Sequence, residues 1–316
     1  MLQIKNTLGG SKPEGLYVWK KYEATPDPYL SFLGNEEFTL KIGNNRKNWD
    51  GTLEYSTDAI TWNTWNGTEI SSSGNNLYLR GTGNTKITGG TSNQKFVFTG
   101  ANTLRVSCNG SIESLLDYNM TSAGRHPSMN SYCYASLFQG CTCLIKAPDL
   151  SAITLASHCY DRMFMVCTNL ITAPELPATT LADHSYYQMF YKCSSLTIPP
   201  SILPAATLVE FCYAYMFEFS ALDAIPKIMA TTYVGNSCRG MFDDVKTLNV
   251  YSTSGTGHTY GWTAPISASG YCEGMFGSDD GQSEWAKLDG SNFPNNGTPT
   301  DDTTYYFKTV AYKEGN

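Results

Sequence analysis

Ten cysteines and four histidines are the residues in this 316-residue chain best able to ligate a metal, attack an electrophile or pass a proton. Their spacing argues for other work. Cys141, Cys167 and Cys193 recur every 26 residues, and Cys133, Cys159 and Cys212 form a second column in which Ser185 takes the missing place. Side chains in register on successive repeats point the same way instead of toward each other, which disfavours disulfides. A serine in a cysteine slot also argues against obligatory pairing. No C-x₂-C occurs, and the nearest approach, "CTC" at 141–143, lacks the second half of a zinc site. The cysteines therefore read as a buried ladder of small, weakly polar side chains, with no metal and no cofactor expected. His158 and His184 also lie one repeat apart and share a structural slot, whereas His126 and His258 show no partner.

Catalytic patterns are missing as well. The chain has no G-x-S-x-G, no H-E-x-x-H and no phosphate-binding glycine loop. Carboxylates are sparse in the repeats, and no pair marks itself as a glycosidase acid and base. "DDG" at 279–281 lacks the alternate ligands of a calcium loop and reads as a solvated turn. An enzyme is not expected. Binding has a better argument.

The elements that would position such a surface come from an internal repeat. Phe138, Phe164, Phe190, Phe217, Phe242 and Phe276 are separated by 26, 26, 27, 25 and 34 residues. A cysteine follows the first three by three residues, and leucines recur at Leu144, Leu170, Leu196, Leu222 and Leu248. Corner segments such as "APELPATTLA" separate the units. Such a period marks stacked units, none able to bury its apolar face alone. Within a unit, "CYxxMFxxC" sets Cys159, Met163, Phe164 and Cys167 at offsets 0, 4, 5 and 8, the spacing of one face of a short helix. A short extended segment such as "NLITA" (169–173) follows, ended by Pro174 or Pro226.

If offsets 0, 4, 5 and 8 are buried, offsets 2, 3, 6 and 7 face outward. In the first unit these are Ala135, Ser136, Gln139 and Gly140, which carry little chemistry. In the next three they include Arg162, Met165, Val166, Tyr187, Tyr191, Lys192, Tyr215 and Phe219. Contiguous exposed apolar surface marks contacts, and tyrosine offers a flat ring and a hydroxyl at little entropic cost. Arg162, Met165, Tyr187, Tyr191, Lys192, Tyr215 and Phe219 are the candidate ligand-binding residues. Cover by a flanking domain or by a second copy of the chain is the competing reading, and Lys146, Thr172 and Ile198 form a second candidate face.

"MFMVCTNLITAP" (163–174) and "MFYKCSSLTIPP" (189–200) resemble the core of the BspA-like leucine-rich repeats over roughly residues 128–276. The resemblance implies a right-handed solenoid with one short strand per coil. The chain departs from it by Met-Phe for Ala-Phe, by the 26-residue period and by loss of the cysteine in the fourth and fifth units.

Ahead of the repeats, "LSFLGNEEFTLKIG" (30–43), "GTLEYSTDAITWNTW" (51–65), "NLYLRG" (76–81), "KFVFTG" (95–100) and "TLRVSCNG" (103–110) are β-prone runs split by Gly, Asn, Ser and Asp. They fit a small sandwich in which Trp62 and Trp65 are expected in the core, with glycan stacking as the alternative. "SIESLLDYNM" (111–120) is expected to be a short helix or coil capping the first unit. The expected fold is α+β: segment 1–23, a β-sandwich-like module at 24–117, a leucine-rich-repeat solenoid of about five to six coils at 118–276 and a cap at 277–316. That last stretch holds seven Asp/Glu against three Lys. "WDGTLEYSTD" (49–58) resembles modules paired with such repeats in gut bacterial and phage proteins, and "GLYVWKKYEA" (15–24) is similar to segments of tail proteins from phages of gut Firmicutes.

Charge bounds the partners. The net charge is −7, the pI is near 5.1 and no basic cluster exceeds Lys20-Lys21, so no nucleic-acid footprint is present. No apolar run approaches a membrane span, and the first residues lack the apolar core of a signal peptide. The resulting expectation is a non-enzymatic recognition module: a phage or prophage tail protein contacting a bacterial surface glycan or protein, with other virion proteins or a second copy as further partners. The virion is its expected location, or the cell surface if the chain is bacterial. A BspA-like surface adhesin and a polysaccharide-degrading enzyme are the alternatives.

Overall fold

The computed structural model describes residues 29–222, 225–245, 262–263, 271–275, 285–287 and 304–307. The segment 15–24, His258, Phe276 and the 279–281 turn lie outside them.

Residues 29–112 form two facing sheets. β1 (Leu30–Gly34), β3 (Thr52–Ser56), β4 (Asn63–Trp65), β6 (Asn76–Thr82) and β8 (Val106–Asn109) belong to one. β2 (Thr39–Ile42), β5 (Ile70–Ser71) and β7 (Phe96–Thr99) make the other, in the order β5-β2-β7. Strand alternation puts Leu77 and Leu79 of β6 inside, both fully buried. Phe32 of the first sheet meets Phe96 and Phe98 of the second at 5.8 and 5.3 Å. Trp65 is buried and stacks on Trp49 at 5.4 Å. Trp62 departs from the expected core position: it is half-buried, beside Tyr29 and under the Arg80 guanidinium at 4.0 Å.

One helix, α1 (Ser114–Ser122), occurs among the described residues. It is kinked at Asp117 (φ −155°), whose carboxylate accepts the N–H groups of Asn119 and Met120 and so starts a second turn. Gly81 of β6 lets the helix close in, since a Cβ there would lie 1.7 Å from the Leu115 carbonyl oxygen.

The expected α+β leucine-rich-repeat solenoid is corrected by the backbone. The described residues are β-rich, and among those between 132 and 245 the repeats contain neither the expected helices nor one continuous strand per unit. Each "CYxxMFxxC" stretch is a ribbon of successive turns. In the first unit, Ala135, Leu137, Gln139 and Cys141 donate locally to the carbonyls of Tyr132, Tyr134, Ser136 and Phe138. The alternate N–H groups of Tyr132, Tyr134, Ser136, Phe138 and Gly140 point away and donate to Ser157, Cys159, Asp161, Met163 and Met165 of the next unit. Every fourth residue has positive φ: Tyr132, Ser136 and Gly140, then His158, Arg162 and Val166, then His184, Gln188 and Lys192, then Phe211, Tyr215 and Phe219. A left-handed residue every four positions is incompatible with an α-helix, yet a four-residue period resembles a helical face in sequence. The "NLITA" segment contributes a single bridge, Thr172↔Ile198. Elsewhere the repeats pair through β9 (Leu144–Lys146) on β8, through β10 (Ile202–Leu203) with β11 (Lys227–Ile228), and through isolated parallel bridges.

Side chains follow the backbone register. Phe138, Phe164, Phe190, Phe217 and Phe242 form one buried column with rings 5.4–5.7 Å apart. Tyr134, Tyr160, Tyr186 and Tyr213 form a second at 5.6–5.8 Å. All ten cysteines are free thiols. The Sγ atoms of Cys167 and Cys193 donate to the carbonyls of Phe138 and Phe164 at 3.1 and 3.0 Å, so each thiol satisfies a carbonyl of the preceding unit.

The two regions share one core through Phe96. Its N–H donates to Leu137 and its carbonyl accepts the Cys141 thiol at 3.4 Å, the same two bonds that Phe138 makes with Met163 and Cys167. Its ring caps Phe138 at 5.3 Å. β7 thus stands where a preceding unit would. Toward the other end, β12 (Trp262–Thr263), β13 (Trp285–Lys287) and β14 (Thr304–Phe307) pair antiparallel in the order β12-β14-β13. No helix among the described residues is long and apolar enough to cross a membrane.

Candidate recognition surface

In the second to fourth units most side chains at the left-handed positions and just before them turn outward, but Asp161 and Ala214 are buried, and so are Ala135 and Ser136 of the first unit, which were expected to face out. Arg162, Met165, Val166, Tyr187, Tyr191, Tyr215 and Phe219 are half-buried and Lys192 is exposed, so the seven candidate residues share one outer face. Their contacts knit it together. The Arg162 guanidinium lies 5.0 Å over Tyr187 and its Nε donates to Gln188. Tyr187 meets Tyr215 edge-on at 5.9 Å, and Tyr191 meets Phe219 at 5.6 Å. The Lys192 ammonium sits 5.0 Å from Tyr191 and 5.2 Å from Phe219. Met165 accepts a hydrogen bond from Gln139 at its sulfur. Flat rings beside cations present apolar faces and charged edges together, which suits polyhydroxyl or aromatic ligands.

Sequence reasoning missed a ring ladder on the same face. Tyr132, His158, His184 and Phe211 stack at 4.4, 4.5 and 4.8 Å. The shared histidine slot is thus a stacking position one residue ahead of each buried Cys or Ser. His158 Nδ1 lies 3.2 Å from Asp161, and His184 Nδ1 lies 2.7 Å from Asp183. Atoms of His158, Asp183 and His184 fall within 4.8 Å of one another, close enough to raise the question of a metal. The imidazoles are only 17° from parallel, so their lone pairs run side by side instead of converging on a tetrahedral centre. The geometry serves stacking better than ligation. Burial pushes the Asp161 carboxyl above its usual range, partly offset by Arg162 and His158. His126, without an evident partner in sequence, pairs with buried Glu113 at 2.9 Å.

Glu218 was also missed, although Asp244 lies one 26-residue step further on at the same place in the unit. Half-buried beside Phe219, its carboxyl is pushed up to about 7 by burial and by Asp243 and Asp244 of the next unit, with Lys192 opposing. Burial pushes the thiols of the repeats up, Cys159 and Cys193 to about 12 and the half-buried Cys143 to about 11. Lys146, Thr172 and Ile198 are exposed along the bridge line, next to exposed Ile145 and Ile171. That second face is mostly aliphatic and lacks the cation–ring pairs of the first.

Compared with protein-family models, curated proteins and solved structures, the chain matches none.

Proposed function

We propose that this chain is a recognition module without catalytic activity, which holds a bacterial surface glycan or protein against the outer face of its stacked repeats. The supporting observation is the continuous patch of Arg162, Tyr187, Tyr191, Lys192, Tyr215 and Phe219 across three units, rings and cations already in mutual contact. Pre-arranged rings lose little entropy on binding. A phage tail is the setting that the segment 15–24 suggests, where many copies would multiply weak contacts. Immobilised bacterial glycans and whole cells provide the test. Tyr187→Ala with Tyr191→Ala should cut binding about tenfold or more while the melting temperature moves by only about 2 °C. Unchanged binding sinks the reading; a large stability loss shows that the rings serve packing instead.

A further inference from the structure

The ladder between units is broken at one junction. At the end of the first four ribbons a backbone N–H crosses to the next unit: Gly140 to Met165, Val166 to Tyr191, Lys192 to Glu218 and Phe219 to Asp243. Because Phe96 stands in the place of Phe138, Phe98 stands in the place of Gly140, and its matching acceptor is the Gln139 carbonyl. That bond is not made. β7 continues along β2, with Leu40 opposite Phe98. Gly43 bonds the Lys95 carbonyl, so the alternation of an antiparallel ladder aims the N–H and C=O of Phe98 at the open edge of β7. Two strand-type groups on one side and a bare carbonyl on the other face a shared gap.

The gap is a groove of about 410 Å³ lined by Lys95, Phe98, Gly100, Asn102, Arg105, Thr142 and Asn169 among others. Lys95 and Arg105 are its two cations, and no carboxylate lines it. Neither forms an ion pair among the described residues. In a chain of net charge −7, two half-buried, unpaired cations in one groove stand out.

We propose that this groove takes an extended acidic peptide segment, which pairs as a short strand with the part of the β7 edge left free at Phe98, beyond the Phe96 bonds to the first ribbon. The N–H and C=O of Phe98 bond its main chain, the pairing that gives strand addition its affinity. Alternate side chains of an extended peptide fall on one face, so carboxylates at every second position meet Lys95 and Arg105. The site is separate from the outer ring patch and stands without it.

The test titrates ¹⁵N-labelled full-length protein with three probes: the acetylated, amidated peptides EVEVE and KVKVK, and N-acetylneuraminic acid. The acidic peptide should saturate with Kd below about 1 mM and shift the amides of Phe98, Gly100 and Thr142. Lys95→Glu with Arg105→Glu should weaken it about tenfold or more and admit KVKVK in its place. If that pair disturbs the fold, Lys95→Gln with Arg105→Gln should give the same loss for EVEVE. Absence of saturation, shifts confined to the repeats' outer face, or preference for the sugar acid overturns the proposal. Failure here leaves glycan and cell binding through Tyr187 and Tyr191 as a separate result.

Discussion

The sandwich and the stacked repeats solve the same backbone problem differently. In the sandwich, strands pair along their length, and polar side chains fasten the loops between them. Asp50 accepts from Thr85 and Lys86, Asn84 bridges Gly51, Thr52 and Leu115, and Asp58 collects Ile60 and Thr61. The repeats divide their N–H groups in half, alternately closing local turns and crossing to the next unit. Identical side chains then stack in columns, so one solution to packing is used several times. The lesson is that parallel stacking does not require parallel strands; a turn ribbon presents donors and acceptors at every second residue just as a strand does.

The largest effect should separate the two regions. Phe32→Ala and Phe190→Ala each remove a fully buried ring and should cost about 3–5 kcal/mol. Hydrogen exchange should spread through the sandwich for Phe32→Ala. For Phe190→Ala it should concentrate in the neighbouring ribbons, because stacked units contact only their neighbours. Equal protection loss everywhere would show the two regions to be one cooperative block.

Next comes pH, which should act on the repeats. Glu218 titrates at about 7 in the fold against 4.5 when unperturbed, so the folded chain binds the extra proton between those values. Stability should therefore fall as pH rises from about 4.5 to 7, by roughly 1–2 kcal/mol after allowing for solvent screening. Glu218→Gln should flatten that slope in thermal melts at pH 5 and 7.5. A slope that persists in the variant assigns it to another group.

Ser220 holds the cysteine slot in the fourth unit, and its buried hydroxyl has no partner. The longer side chain of Ser220→Cys should reach the Phe190 carbonyl as Cys193 reaches Phe164, raising stability by about 1 kcal/mol. A loss measured by denaturant unfolding would mean that thiols merely fill space. The smallest effect concerns the tyrosine column. Tyr134 donates to the Ile112 carbonyl at 3.2 Å, whereas the hydroxyl of Tyr160 is buried without a partner. Tyr134→Phe should cost about 1 kcal/mol, and Tyr160→Phe should be neutral or stabilising by about 0.5 kcal/mol.

Much of the molecule was legible, for identifiable reasons. Leu77 and Leu79 alternate as a half-buried strand must, and the recurrence of phenylalanine foretold one buried column. The local conformation was not legible, because offsets 0, 4, 5 and 8 suit a four-residue turn as well as a 3.6-residue helix. Gly140, Asn236, Gly240 and Asp244 sit at left-handed positions and hint at the turn. Val166, Phe211, Tyr215 and Phe219 occupy equivalent positions and hide it, since such residues rarely adopt that conformation. The outer face of the second to fourth units could be read because its period is that of the units, whereas Ala135 and Ser136 of the first unit, expected outside, are buried. Phe96 falls outside that period and could not be found in sequence, whereas Glu218 and Asp244 lie one 26-residue step apart, a signal that was present but missed.

The bonds made by Phe96 give the chain a seed for assembly. As it emerges from synthesis, the sandwich can finish first and offer a ready-made docking edge to the first repeat, which then offers the same edge to the second. Growth in one direction from a prepared end spares each newcomer the cost of nucleation, and leaves a single advancing face open to mispairing at any moment.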